Sequence, residues 1–203
     1  SSTAVMCNTG HGHPAIRAAV ERHAAEGLMA HFSFASKIRV RLAQRIVEMG
    51  PPRVEKAYLW TVGSEAIEAA LRVAREWGMQ QSPEKFHVLT FAGDFHGWTL
   101  GAHQLSGDSA SKPWLRHPDA AIHHMPFPDG DAGWPGFEAA MSDLAARGVG
   151  PQNIAAVFLE TMQGWGALPF PVDFVKLLRA WADEHGILLI FDEIQTGFGR
   201  TGK

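Results

Sequence analysis

Short unbroken apolar runs alternate along this chain with segments in which apolar residues return every three or four positions. The first kind predicts buried strands and the second amphipathic helices. Strands are expected over residues 57–61, 86–92, 121–125, 154–159 and 187–191. The last is Ile187-Leu188-Leu189-Ile190-Phe191, preceded by Gly186 and followed directly by Asp192 and Glu193. It reads as a strand buried on both faces, as parallel strands are. Helices are expected from Pro14 (Ile16, Val20 and Ala24 on one face, stopped at Gly27), over 37–49 (Ile38, Leu42, Val47 and Met49 inward, ended by Gly50-Pro51-Pro52), and over 65–77, 137–147 and 173–185. In the third, Ile67, Ala70, Leu71, Ala74 and Trp77 form the apolar stripe. Ser64 is placed to cap it, and Glu68 and Arg72 are spaced to pair on its exposed side.

Strand and helix in turn predict an α/β fold with a mainly parallel sheet, three layers deep. Ligands in such sheets bind beyond the carboxyl ends of the strands. Three candidate features fall there. The turn Gly63-Ser64 opens a helix, where free N–H groups and the helix dipole favour an anion, although an ordinary capped helix would look the same. Phe95-His96-Gly97 follows a strand, so that Phe95 can stack on a flat ligand, or can belong to the core with His96 a hydrogen-bonded loop residue. Glu160 and Asp192 each end a buried run, and a carboxylate leaving a dry strand can meet a cationic ligand atom. Between residues 28 and 36, His31, Phe32 and Phe34 read either as a loop packed by its aromatics or as a pocket wall.

Composition narrows this little. The chain has 203 residues, 46% hydrophobic and 19% charged, with a net charge of −3. That suits a globular protein with no basic stripe for nucleic acid or membrane. Cys7 is the one cysteine, which removes disulfides and thiolate zinc sites. No apolar run reaches the ~20 residues that span a bilayer, and the start lacks signal-peptide character, so a cytoplasmic setting is expected. His117, His123 and His124 lack carboxylate or thiolate partners at ligand spacing, and no metal site is expected. Gly197 to Lys203 spells Gly-x-x-x-x-Gly-Lys, but Asp192 to Thr196 separate it from the strand, which leaves a P-loop NTPase as the least favoured alternative.

Taken in order, Asn8-Thr9-Gly10-His11-Gly12-His13-Pro14, Gly63-Ser64-Glu65-Ala66, Phe95-His96-Gly97, Glu160 and Asp192-Glu193-Ile194-Gln195-Thr196-Gly197-Phe198-Gly199-Arg200 resemble the class III aminotransferases, pyridoxal-phosphate enzymes of the aspartate-aminotransferase fold. The resemblance implies that Asp192 pairs with the pyridine nitrogen, Gln195 bonds the phenolic oxygen, and Ile194 and Phe95 hold the two ring faces, with His96 beside them. Gly63 and Ser64 would hold the phosphate. Glu160 would stand on the substrate side, able to pair with an arginine. Thr161 replaces a proline usual in the family, and Trp165 fills a loop usually smaller. The family's Schiff-base lysine matches none of Lys37, Lys56, Lys85, Lys112, Lys176 and Lys203, so no catalytic residue is assigned here.

The expected organisation is therefore an N-terminal helical segment, 1–50, and part of a large cofactor-binding domain, 51–203, in a piece of a longer protein. The implied activity of the parent is transfer of an amino group between an amine or ω-amino acid and a 2-oxo acid, by a homodimer. The chain alone is expected to be inactive. A decarboxylase, racemase or aminomutase of the same fold, or a non-catalytic pyridoxal-phosphate-binding relic, would use the same cofactor residues.

Overall fold

The computed structural model describes residues 7–27, 34–129 and 133–202. The chain divides into two compact units, residues 1–60 and 61–203. The first holds α1 (Pro14–Glu26) and α2 (Lys37–Met49). Each is capped as its sequence demands. His13 accepts the Ala15 N–H and Gly27 closes α1 in the left-handed region, while Ser36 accepts the Arg39 N–H at the start of α2. The expected inward faces are not inward, however. No residue of either helix is buried, and Ile16, Val20, Ile38, Leu42 and Met49 are exposed. Helical periodicity fixes which residues share a face and not what covers that face. The strand expected at 57–61 is also not formed: among the described residues it has no ladder partner, and Tyr58 and Trp60 pack edge to face on one another with centroids 4.9 Å apart. His31 and Phe32 lie outside the described residues.

The second unit contains α3 (Gly63–Gln81), β1 (His87–Phe91), α4 (Leu100–Leu105), β2 (Ile122–Met125), α5 (Gly133–Ala146), β3 (Ile154–Glu160), the two-residue strands β4 (Met162–Gln163) and β5 (Leu168–Pro169), α6 (Val172–Glu184) and β6 (Leu188–Asp192). Four strands form one parallel sheet in the order β2-β1-β3-β6; β4 and β5 pair antiparallel by themselves. Because side chains alternate across a strand, β1 and β3 feed two cores. Val88, Ala156 and Phe158 join Ile67, Leu71 and Ala74 of α3 and Ala102 and Leu105 of α4. Leu89, Phe91, Val157 and Leu159 face the other way, onto Phe137 and Leu144 of α5 and Phe174 and Leu178 of α6. The architecture is the three-layer α/β arrangement with a parallel sheet that the alternation implied.

β3 is buried at all seven positions, six of them apolar, as a central strand should be. β6 is not. It is the sheet's edge among the described residues, and Phe191 is 44% exposed. The expectation of burial on both faces fails there, since an edge strand has a neighbour on one side only.

Close packing of α3 on the sheet depends on Gly78. A Cβ there would sit 2.1 Å from the Lys85 carbonyl oxygen and 2.9 Å from Ala155 Cβ. The usual helix-propensity gain of Gly→Ala is therefore outweighed by a clash with backbone that cannot yield. Gly78→Ala should destabilise the chain by about 2–3 kcal/mol in denaturant titration; a neutral or stabilising result would show that α3 is not seated as described.

Candidate active site

The strands deliver their acids together. β3 and β6 run parallel with Glu160 directly opposite Asp192. The turn after β1 comes down beside them and carries Asp94, Phe95 and His96. The first turn of α3 brings Gly63 and Ser64. Between these elements lies a cleft of about 270 Å³ lined by Val62, Gly63, Ser64, Phe95, His96, Gly97, Trp98, Glu160, Asp192, Ile194 and Gln195. All eight residues that the sequence singled out are in that set.

Asp192 is the floor. Its Oδ2 lies 2.8 Å from His96 Nδ1, with both side chains buried, and its Oδ1 accepts the Ile194 N–H at 3.0 Å. His96 thus lines the cleft and also supports Asp192 from a buried position, while Phe95 lines the cleft and is not a core residue. The His96 backbone N–H donates to Ser106 Oγ at 2.9 Å.

α3 starts one residue before its expected cap. The N-cap is Val62, which offers no side-chain acceptor, and Ser64 lies in the first turn. There its Oγ accepts the Trp98 N–H at 3.3 Å, which leaves the hydroxyl hydrogen to point elsewhere. The N–H groups at this helix start have no side-chain cap, as an anion site requires. Gly97, at φ 131°, presses against this turn so closely that a Cβ would lie 2.2 Å from Ser64 Oγ. Glu68 does not pair with Arg72, which bonds Glu76 instead. Its Oε1 accepts from Thr99 Oγ1, the Gly101 N–H and the Ala102 N–H, and so fixes the start of α4.

Glu160 lines the cleft and is held by backbone donors. Oε2 accepts the Phe95 N–H at 2.8 Å and Oε1 the Gly164 N–H at 3.0 Å. Both oxygens of this buried acid are committed to backbone, so among the described residues it ties the Phe95 loop to the Gly164 loop and pairs with no arginine. Burial pushes its carboxyl up, against the two backbone bonds that favour the charged form. Where proline was expected, the Thr161 hydroxyl donates to Glu193 Oε1 at 2.7 Å. Trp165 is 74% exposed and meets Phe95 edge to face, centroids 5.7 Å apart.

Two residues that pattern reading passed over complete the site. Gln163 Nε2 donates to the Ala92 carbonyl and to Asp94 Oδ1, both at 2.8 Å. Asp94 is buried beside His96, and burial lifts its carboxyl to about 7, against the opposing pull of His96 and Gln163. The available signal was a polar residue in the turn just after an apolar strand, between Gly93 and Phe95. The histidines weighed as metal ligands lie elsewhere: His123 Nε2 is 2.8 Å from His87 Nδ1, and His124 Nε2 is 3.0 Å from the Ser106 carbonyl. Among the described residues no three metal-ligating side chains cluster, no lysine lines the cleft, and no helix is long and apolar enough to cross a membrane.

The family follows from here. The chain belongs to the class-III aminotransferases, whose family model matches residues 1–203. Their cofactor is pyridoxal phosphate. Acetylornithine aminotransferases of Agrobacterium fabrum and Mesorhizobium japonicum are 34% and 35% identical to it, each over 96% of the chain and 45% of the relative. The chain thus spans less than half the length of the curated relatives it matches. Among solved structures, an amine transaminase from an uncultivated Pseudomonas species, with pyridoxal phosphate bound, superposes with a TM-score of 0.82 at 28% identity, over 96% of this chain and 47% of that one. An (S)-enantioselective omega-transaminase from Thermomicrobium roseum gives 0.83 at 27% identity, over 96% and 46%. The residues present fit that cofactor: an uncapped helix start stands beside a buried carboxylate, with an aromatic ring and an aliphatic side chain on the cleft walls.

Two outcomes are expected. Glu160→Ala leaves the Phe95 and Gly164 N–H groups unpaired, and should cost roughly 2–4 kcal/mol and speed hydrogen exchange at both amides. Unchanged exchange there would show that Glu160 does not tie the loops. Asp94 goes from 3.8 to about 7 on folding, so the unfolded chain gives up its proton first as pH rises. Stability from this group is complete below about pH 4 and is lost as pH climbs through about 7. Asp94→Asn should flatten that part of the stability–pH curve in urea titrations.

Proposed function

We propose that the cleft holds pyridoxal phosphate and that the whole protein transfers an amino group between an amine or ω-amino acid and a 2-oxo acid. The observation that carries the reading is the buried Asp192, held by His96 and opening into a cleft that ends at the bare start of α3. The acetylornithine aminotransferases support an ω-amino-acid donor, and the solved amine transaminases support an amine.

When bound, the cofactor supplies an electron sink for the carbanion formed at the substrate. The residues of this chain provide the setting. Asp192 holds a proton on the ring nitrogen, which an uncharged side chain would not. Gly63, Ser64 and the dipole of α3 hold the phosphate. Phe95 and Ile194 confine the two ring faces, and Gln195 faces the phenolic oxygen. Glu160 fixes Phe95 through its backbone N–H. Residues 51–203 are taken as part of the cofactor-binding domain and residues 1–50 as an N-terminal helical segment, in a cytoplasmic protein that works as a homodimer.

In the full-length protein, Asp192→Asn should lower kcat/KM for amino transfer by roughly 100-fold or more without unfolding the chain; a variant as active as the wild type would refute the assignment. The 203-residue chain should bind pyridoxal phosphate reversibly. Borohydride reduction should then mark no single lysine stoichiometrically, because no described lysine stands in the cleft.

A further inference from the structure

Asp94 does not line the cleft, yet it is buried directly behind it. Its Oδ1 is occupied by Gln163, but its Oδ2 is buried with no hydrogen-bond partner. That oxygen stands 3.7 Å from His96 Nε2, on the side of the ring away from Asp192. The imidazole is therefore flanked by two buried carboxylates, one at the cleft floor and one behind it.

Both ring nitrogens of His96 face oxygen acceptors. Nδ1 faces the Asp192 carboxylate at 2.8 Å and so donates. Nε2 faces Thr90 Oγ1 at 3.4 Å, and that hydroxyl already gives its one hydrogen to the Leu105 carbonyl at 2.9 Å. Thr90 Oγ1 thus faces Nε2 as an acceptor, and the unpartnered Asp94 Oδ2 is a second acceptor near the same nitrogen. An imidazole with hydrogen on both nitrogens is a cation. Thr90 alone, at 3.4 Å, would be a poor partner for such a cation, whereas a second carboxylate would compensate its charge. Asp192 from β6, Asp94 from the turn after β1, Glu160 from β3 and His124 from β2 are the titratable groups that act on this ring.

We infer that Asp94 is a positioning residue: it keeps the second hydrogen on His96 Nε2, so that Nδ1–H stays on Asp192 and Asp192 presents an ionised carboxylate to the cleft. The role of that carboxylate toward a ligand rests on the function proposed above; the role of Asp94 toward His96 does not. An asparagine at 94 would keep the bond from Gln163 on its oxygen and turn an NH₂ toward Nε2. Donor would face donor, and the ring would give up its Nε2 hydrogen.

The test is ¹⁵N-resolved NMR of the histidine side chains in the cofactor-free chain at about pH 8, above the range where Asp94 titrates. In the wild type His96 should show hydrogen on both ring nitrogens, with Nε2–H lost in Asp94→Asn and in Asp94→Ala while Nδ1–H persists. A wild-type Nε2 without hydrogen would overturn the inference even if neither variant folds, and so would a variant ring identical to that of the wild type. Pyridoxal phosphate is then added to the wild type. Absence of binding would count against the proposed function, whereas the part played by Asp94 is decided by the ring-nitrogen signals alone.

Discussion

His96 and Asp192 are 96 positions apart in sequence, and the 2.8 Å contact between them joins the turn after β1 to the end of β6 across the intervening β3. A carboxylate in so dry a place is costly unless it is bonded. Here one oxygen takes the His96 Nδ1–H and the other the Ile194 N–H, so the charge is tolerated while lone pairs remain for a ligand. The rest of the second unit maintains this contact. Parallel pairing sets Asp192 level with Glu160. Ser106 anchors the His96 backbone, and Gly97 lets the turn close over Ser64.

Buried acids thus divide the work. Asp192 faces the cleft, Glu160 spends both oxygens on the backbone of two loops, and Asp94 stands behind the imidazole. Three carboxylates so near one another would repel if all were ionised and unsupported. Each is instead given donors of its own, and burial raises two of them, Asp94 and Glu160. Carboxyl groups of one type perform different tasks because their partners differ.

Much of this was legible in the sequence, for identifiable reasons. Strands β1, β3 and β6 and helices α3, α5 and α6 show as apolar periods, since each is packed against a core whose demand is written into every second or every third to fourth residue. Asp192 and Glu160 were visible because an acid that ends an apolar run is rare. Partners were much less visible. Glu68 and Arg72 have the right spacing for each other, yet Glu68 turns to the start of α4, a choice made by tertiary contact. The same holds for Glu160, whose backbone donors lie 65 and 4 residues away. Tyr58 and Trp60 have the composition of a strand and, among the described residues, no strand beside them. Asp94 and Gln163 were overlooked because a single polar residue in a turn looks solvated until the turn is seen folded inward.

Everything proposed for the cleft depends on Asp192 keeping a cofactor's ring nitrogen protonated. The direct measurement is the ¹⁵N spectrum of ring-labelled pyridoxal phosphate bound to the full-length protein. A ring nitrogen that carries hydrogen well above the pH at which free pyridine loses it, and that loses this hydrogen in Asp192→Asn, is the expected result. A bound cofactor whose ring nitrogen is bare in the wild type, or is unaffected by the substitution, would contradict it.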